Sequence, residues 1–206
     1  LDVGFVPRAG GLATAGIVQA AVGGRLDVLF LLGADELQTA TLGPTFVVYI
    51  GSHGDAGAHR ADIILPSAAY TEKDATWVNT EGRVQYGRRA TFPKGDAKED
   101  WTILRALSGV LGKTLPYDTL AQLREKLGKD HSTFLGLDFA PGTHGNSVAP
   151  PYGAAGAMQS TAFVTPIKAF HLTNPIARAS RTMAECAELA AGVNPAVAAG
   201  QGEGRM

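Results

Sequence analysis

The sequence predicts an α/β domain: a partial, doubly wound, mainly parallel sheet, followed by helices and a long loop. Three observations carry this. Residues 28–32 (VLFLL), 46–50 (FVVYI) and 63–65 (IIL) are short continuous apolar runs bounded by Gly, Pro, Asp or His, the texture of strands buried on both faces of a parallel sheet. The stretch from Ala13 to Val22 ahead of them has helical spacing. Residues 33–45, between the first two runs, are long enough for the crossover that parallel strands require.

The elements follow in order. After the third run the texture changes, and residues 76–93 (TWVNTEGRVQYGRRATFP) read as an extended, turn-rich segment centred on Glu81-Gly82. A helix is expected next, capped by Asp96 with Glu99 three residues on, carrying Ala97, Trp101, Leu104 and Leu111 on one face and stopping at Gly112. A second follows Pro116, with Leu120, Leu123 and Leu127 in one stripe and Gly128 as its stop. Residues 129–162 are rich in Gly, Pro, Ser and His and read as a loop or linker. The final helix starts at Asn174, with Pro175 in its first position. Ile176, Ala179, Met183, Cys186 and Ala190 recur at spacings of 3, 4, 3 and 4. Arg178, Arg181, Glu185 and Glu188 fall on its opposite, polar face. The implied organisation is an α/β domain over 1–128, a linker over 129–162, a strand or loop and helix over 163–192, and a flexible tail over 193–206.

Composition narrows the function classes. The 206 residues hold 18 Lys+Arg against 19 Asp+Glu, a formal charge of −1, which argues against a nucleic-acid module with its clustered basic excess. Charged residues make up only 18% of the chain, below the roughly 25% of average domains, so part of the surface is expected to be loop or covered by a partner. The single cysteine, Cys186, rules out an internal disulfide framework and any zinc or iron–sulfur site built from several thiolates of this chain. No apolar run approaches the ~18 residues of a membrane span.

The polar segment from Gly51 to Asp62 sits where an α/β fold places ligands, beyond the carboxyl end of a strand. His53, Asp55, His59 and Asp62 lie within it. The six-residue spacing of the two histidines matches no helical or hairpin metal geometry, so the favoured reading is a Gly-rich turn whose His and Asp side chains bond loop backbone. Gly51, Gly54 and Gly57 are spaced to let backbone amides approach a phosphate, yet form neither a dinucleotide fingerprint nor a P-loop. Glu72-Lys73-Asp74 and Asn79-Thr80-Glu81-Gly82-Arg83 could fix a polar ligand and serve equally as turn chemistry. Cys186 lies mid-helix with no neighbouring histidine and reads as a packed thiol.

The run FVVYIGSHGDAGAHRADIILPSAAYTEKDATWVNTEGRVQ, then KEDWTILRALSGVLGKTLPYDTL, then FHLTNPIARASRTMAECAELAAG, closely resembles in order the large iron–sulfur subunit of respiratory complex I, the proton-pumping NADH:quinone oxidoreductase, of the alphaproteobacterial and mitochondrial type. Residues 61–85 resemble, more distantly, the α/β domains of molybdopterin oxidoreductases that cradle a pterin dinucleotide. The resemblance implies a sheet of the molybdopterin-oxidoreductase type and a scaffold role in a subunit whose [4Fe-4S] and [2Fe-2S] clusters are held by cysteine-rich motifs that have no match here. It implies a carboxyl-terminal piece of that subunit, an expectation with which the Leu at position 1 agrees. No catalytic residue, metal ligand or cofactor-binding residue carries over. Gly51, His53, Asp55, His59, Asp62, Asn79, Glu81 and Arg83 are the candidates for a vestigial pterin site or an interface. Implied partners are the other subunits of the hydrophilic arm and the cluster-bearing domains of the same subunit, with no nucleic acid, and with membrane association only through the complex. Its place would be the cytoplasmic face of a bacterial inner membrane or the matrix side of the mitochondrial one. The alternative is a piece of a true molybdopterin-dependent oxidoreductase that still touches the cofactor.

Overall fold

The computed structural model describes residues 10–79, 82–138, 156, 160–162, 167 and 169–192. A helix α1 (Thr14–Val22) leads into β1 (Val28–Leu32), β2 (Phe46–Gly51), a short α2 (Ala56–Arg60) and β3 (Ile63–Pro66). The strands are parallel in the order β1-β2-β3, with Val28 opposite Phe46 and Val48 opposite Ile63. The three apolar runs therefore become the three strands, and residues 33–45 make the crossover, with one 3-10 turn at Thr39–Thr41.

Side chains alternate between sheet faces. Leu31, Val47 and Tyr49 point to one face and pack with Ala21, Leu42 and Ala58 into the buried core. Val28, Phe30 and Leu32, in register with Phe46, Val48 and Ile50, take the other. There Phe30 is 40% and Leu32 52% exposed, with Val28, Phe46 and Ile63 similarly open. This corrects the expectation of strands buried on both faces. Only the interior of β2 is buried so; β1 and β3 are its outer neighbours, and among the described residues no helical layer covers the outer positions of the second face.

Past β3, the turn-rich segment is an antiparallel hairpin of β4 (Ala75–Val78) and β5 (Val84–Gly87). Gly82 supplies the left-handed backbone, φ +82°, that its turn requires. Helix α3 runs Asp100–Val110 and stops at Gly112, φ +68°, but it starts four residues after Asp96. The cause is local: Lys98 donates its amide to the Pro66 carbonyl at 3.2 Å and accepts from Ala68 at 2.8 Å, which holds that stretch extended beside the end of β3. Glu99 does not close a capping box, because its carboxylate takes the Trp101 indole N–H at 2.7 Å.

Helix α4 (Leu120–Asp130) opens with a reciprocal box between Thr119 and Gln122. It passes straight through Gly128, the expected stop. A Cβ there would lie 2.5 Å from Leu135 Cδ2, so this glycine permits close packing of the following 3-10 turn, Ser132–Leu135. The end of α4 and this turn both lie inside the stretch read as a loop. The expected final helix is two: α5 (Pro175–Arg178) and α6 (Arg181–Ala190). Asn174 caps the first through Ala177 N–H at 2.9 Å, and Ser180 caps the second through Met183 N–H at 3.4 Å. The second cap resets the helical register, so Arg178 does not share the polar face of Arg181. Most of residues 139–168, and the tail from 193, lie outside the described residues. Among the described residues no helix is long and apolar enough to cross a membrane.

Candidate functional site

Parallel strands end together, so the loops after β1 and β2 meet at one edge of the sheet. After β1, Gly33 donates its amide to Ile50 O at 2.8 Å, and the chain turns into Asp35 and Glu36. Asp35 is 6% exposed, and both its oxygens are used: Oδ2 accepts the Tyr49 hydroxyl at 2.9 Å and Oδ1 the Gly57 amide at 2.9 Å. One carboxylate thus ties β1, β2 and the first turn of α2. Burial, then the Asp35 hydrogen bond and charge, push the Tyr49 phenol far above its ordinary range.

After β2, Asp55 accepts the Ala56 amide at 2.8 Å and begins α2. Its second oxygen takes Arg178 Nε at 2.5 Å. Burial works against ionisation of Asp55, but the Arg178 hydrogen bond and the Ala56 amide outweigh it and hold its pKa below the usual carboxylate value. Arg178 also donates to Glu36 Oε1 at 3.1 Å and to Leu172 O at 3.2 Å. The Asp55 hydrogen bond foremost raises its pKa. Beside this cluster opens a cavity of about 1100 Å³ walled by Leu32, Ile50 and Trp77 on one side and Ile176 and Met183 on the other. A Lys73–Asp100 ion pair also lines it.

The structure brings together three of the sequence-flagged positions, Gly51, His53 and Asp55. The His53 carbonyl lies 3.3 Å from the Tyr49 hydroxyl, and its ring meets Ser52 Oγ at 2.9 Å. His59 is exposed within α2. Asp62 is at the other end of the sheet, since α2 carries the chain back before β3 begins. There it accepts the Val47 amide at 2.7 Å, which foremost lowers its pKa, and pairs with Arg60 at 3.3 Å. Asn79 and Arg83 shape the hairpin turn: Asn79 Oδ1 accepts the Arg83 amide at 2.9 Å, and the Arg83 guanidinium reaches the Asp138 carbonyl. Glu81 lies outside the described residues. In the next turn, Glu72 accepts the Ala69 amide and Asp74 the Arg89 amide, which is the turn chemistry the sequence suggested.

Sequence reasoning missed Asp35, Glu36, Tyr49 and Arg178. The first two carried a usable signal, because they follow an apolar run just as the flagged loop does. Tyr49 was hidden inside a strand, and Arg178 sits 123 residues from Asp55. Chemically the cluster is a set of ties. Asp35 has its oxygens committed, Asp55 is paired with a guanidinium, and among the described residues no group of three or more His, Cys, Asp or Glu converges as a metal site.

Residues 1–110 match the family described as molybdopterin oxidoreductase, and residues 140–186 match a family described as a carboxyl-terminal region of NADH-ubiquinone oxidoreductase. The chain is 42% identical over 161 residues to the NADH-ubiquinone oxidoreductase 75 kDa subunit of Reclinomonas americana, covering 78% of this chain and 23% of that protein. It is 44% identical over 163 residues to the mitochondrial 78 kDa subunit of Neurospora crassa, and 43% over 174 residues to that of Candida albicans. These cover 77% of this chain in each case, and 22% and 23% of the relatives. The chain thus spans less than a quarter of the length of the curated relatives it matches.

Proposed function

The chain belongs to the molybdopterin oxidoreductase family, and from that premise we propose that it is a structural part of the large iron–sulfur subunit of a proton-pumping NADH:quinone oxidoreductase. In this reading it carries no catalytic residue. It holds and shields a chain of [4Fe-4S] and [2Fe-2S] clusters bound by other residues of the whole subunit, in the hydrophilic arm of the complex. That arm faces the bacterial cytoplasm or the mitochondrial matrix.

The observation that carries the reading is 42–44% identity over 77–78% of the chain with three such subunits. The sheet supports it. Parallel sheets are covered on both faces, and the face bearing Val28, Phe30, Leu32, Phe46 and Ile63 is open; a cluster-bearing domain of the same subunit is the natural cover. Gly51, His53, His59 and Asp62 then serve as loop and interface positions. The division into units at 1–128, 129–162, 163–192 and 193–206 belongs to the same proposal. The alternative of a working molybdenum enzyme is not favoured, because all three relatives are named as NADH-ubiquinone oxidoreductase subunits.

The test is affinity capture from the native host through a tag at this chain's position. NADH:quinone oxidoreductase activity should co-purify, with iron and labile sulfide and without stoichiometric molybdenum or tungsten. Stoichiometric molybdenum, or elution apart from that activity, overturns the proposal.

A further inference from the structure

The family's name implies an anionic pterin, and the carboxyl edge of this sheet does not fit one. The edge presents three carboxylates, Asp35, Glu36 and Asp55, where a phosphate would need donors. Two of its glycines leave no cradle either. A Cβ on Gly51 would stand 2.3 Å from the Tyr49 hydroxyl, and one on Gly57 2.6 Å from its ring, so the chain's own tyrosine fills the space they open.

What the edge does fit is a guanidinium. Arg178 enters with its side chain 26% exposed, places Nε on Asp55, Nη2 on Glu36 and Nη1 on the Leu172 carbonyl, and so spans both strand-end loops with one planar fork. A second feature agrees. Ile176 and Met183, from the same pair of short helices, form the far wall of the apolar cavity that Leu32, Ile50 and Trp77 begin. Helix α6 packs on α5 and on the 170–172 turn, so residues 169–190 hold together as a unit that meets the sheet through this fork and this wall.

We propose that the carboxyl edge of the sheet is a docking surface for the chain's own residues 169–190, with Arg178 as the anchor, and that releasing the anchor uncovers the apolar cavity. A carboxylate pair that elsewhere would repel a dinucleotide here selects a cationic side chain supplied in cis. The inference stands on intrachain geometry and does not depend on the assignment to an NADH:quinone oxidoreductase.

Hydrogen exchange by mass spectrometry on the full 206-residue chain tests it. A charge-assisted bond contributes about 1.5–3 kcal/mol, so Arg178→Met should raise exchange across residues 170–190 at least tenfold while the β2 amides of Val47, Tyr49 and Ile50 keep their protection. Arg178→Lys should fall between. Binding of an environment-sensitive apolar dye should rise several-fold in the Met variant. Arg181→Met, at a side chain 93% exposed, should change neither signal. Should Arg178→Met unfold the chain, Glu36→Lys sets a cation beside Arg178 from an exposed loop position without touching the Asp55 cap, and should loosen the same residues. Exchange over 170–190 within twofold of the Arg181→Met control in the folded variants overturns the proposal.

Discussion

Replacing Tyr49 by Phe isolates one buried hydrogen bond. The residue is 1% exposed, its hydroxyl lies 2.9 Å from Asp35 Oδ2, and Asp35 is itself 6% exposed. The ring stays, so packing on Val47, Leu31 and Ala58 is kept and only the donor is lost. A hydrogen bond to a charged group contributes about 1.5–3 kcal/mol, most of it felt when the buried acceptor is left without its partner. We expect a loss of about 2 kcal/mol, which for a chain of this size lowers Tm by about 4–8 °C. Urea unfolding followed by circular dichroism measures it. Tyr70→Phe, at an exposed ring, is the control and should stay within about 0.5 kcal/mol. The same bond has a spectroscopic reading. Because burial and Asp35 raise the folded pKa of this phenol above its unfolded value, its contribution is intact at neutral pH and is lost as pH rises beyond about 10. One of the five tyrosines should resist ultraviolet titration until the chain unfolds, and in Tyr49→Phe that resistant fraction should vanish. A Tyr49→Phe protein as stable as its parent, with the titration unchanged, refutes the tie between β1 and β2.

Gly57→Ala should destabilise despite the better helix former, because the new methyl meets the Tyr49 ring at 2.6 Å and Asp35 Oδ1 at 2.9 Å; overpacking costs about 1–3 kcal/mol against a propensity gain of about 1, and denaturant midpoints would show the difference. Phe30→Glu should leave the isolated chain within about 0.5 kcal/mol of its parent, yet weaken its capture by the rest of the parent subunit at least tenfold in a pull-down. The Asp55 carboxyl faces Arg178, His59 and the Tyr49 hydroxyl, and its pKa is held below the unfolded value. Its contribution is therefore present above about pH 4 and disappears as pH falls through the folded pKa. Exchange over residues 170–190 should rise in that acid window, and in Asp55→Asn it should be raised already at neutral pH.

The three strands were legible because a short apolar run between turn residues has few other uses, and their parallel order followed from the lengths between them. What stayed hidden was set by neighbours in space. Asp96 is a good cap by type, but Lys98 is bonded to Pro66 and Ala68, which commits the backbone to an extended path. Gly128 reads as a stop in sequence and is an accommodation of Leu135 in space. The site was half legible for a related reason. The rule that pointed to the loop after β2 applies equally to Asp35 and Glu36 after β1. Asp62 was grouped with Asp55 by proximity in sequence, although α2 returns the chain to the opposite end of the sheet. Nothing within a local window could join Arg178 to Asp55.

The open face of the sheet has a consequence for how the chain is kept in the cell. Val28, Phe30, Leu32, Phe46 and Ile63 form an apolar patch on an otherwise folded body, and such patches drive association and attract the machinery that removes orphaned proteins. A copy without its cover is recognisable as unfinished even when its own core is complete. Its steady-state amount should therefore follow the supply of the surface that covers it, so that the sheet itself enforces the stoichiometry of assembly.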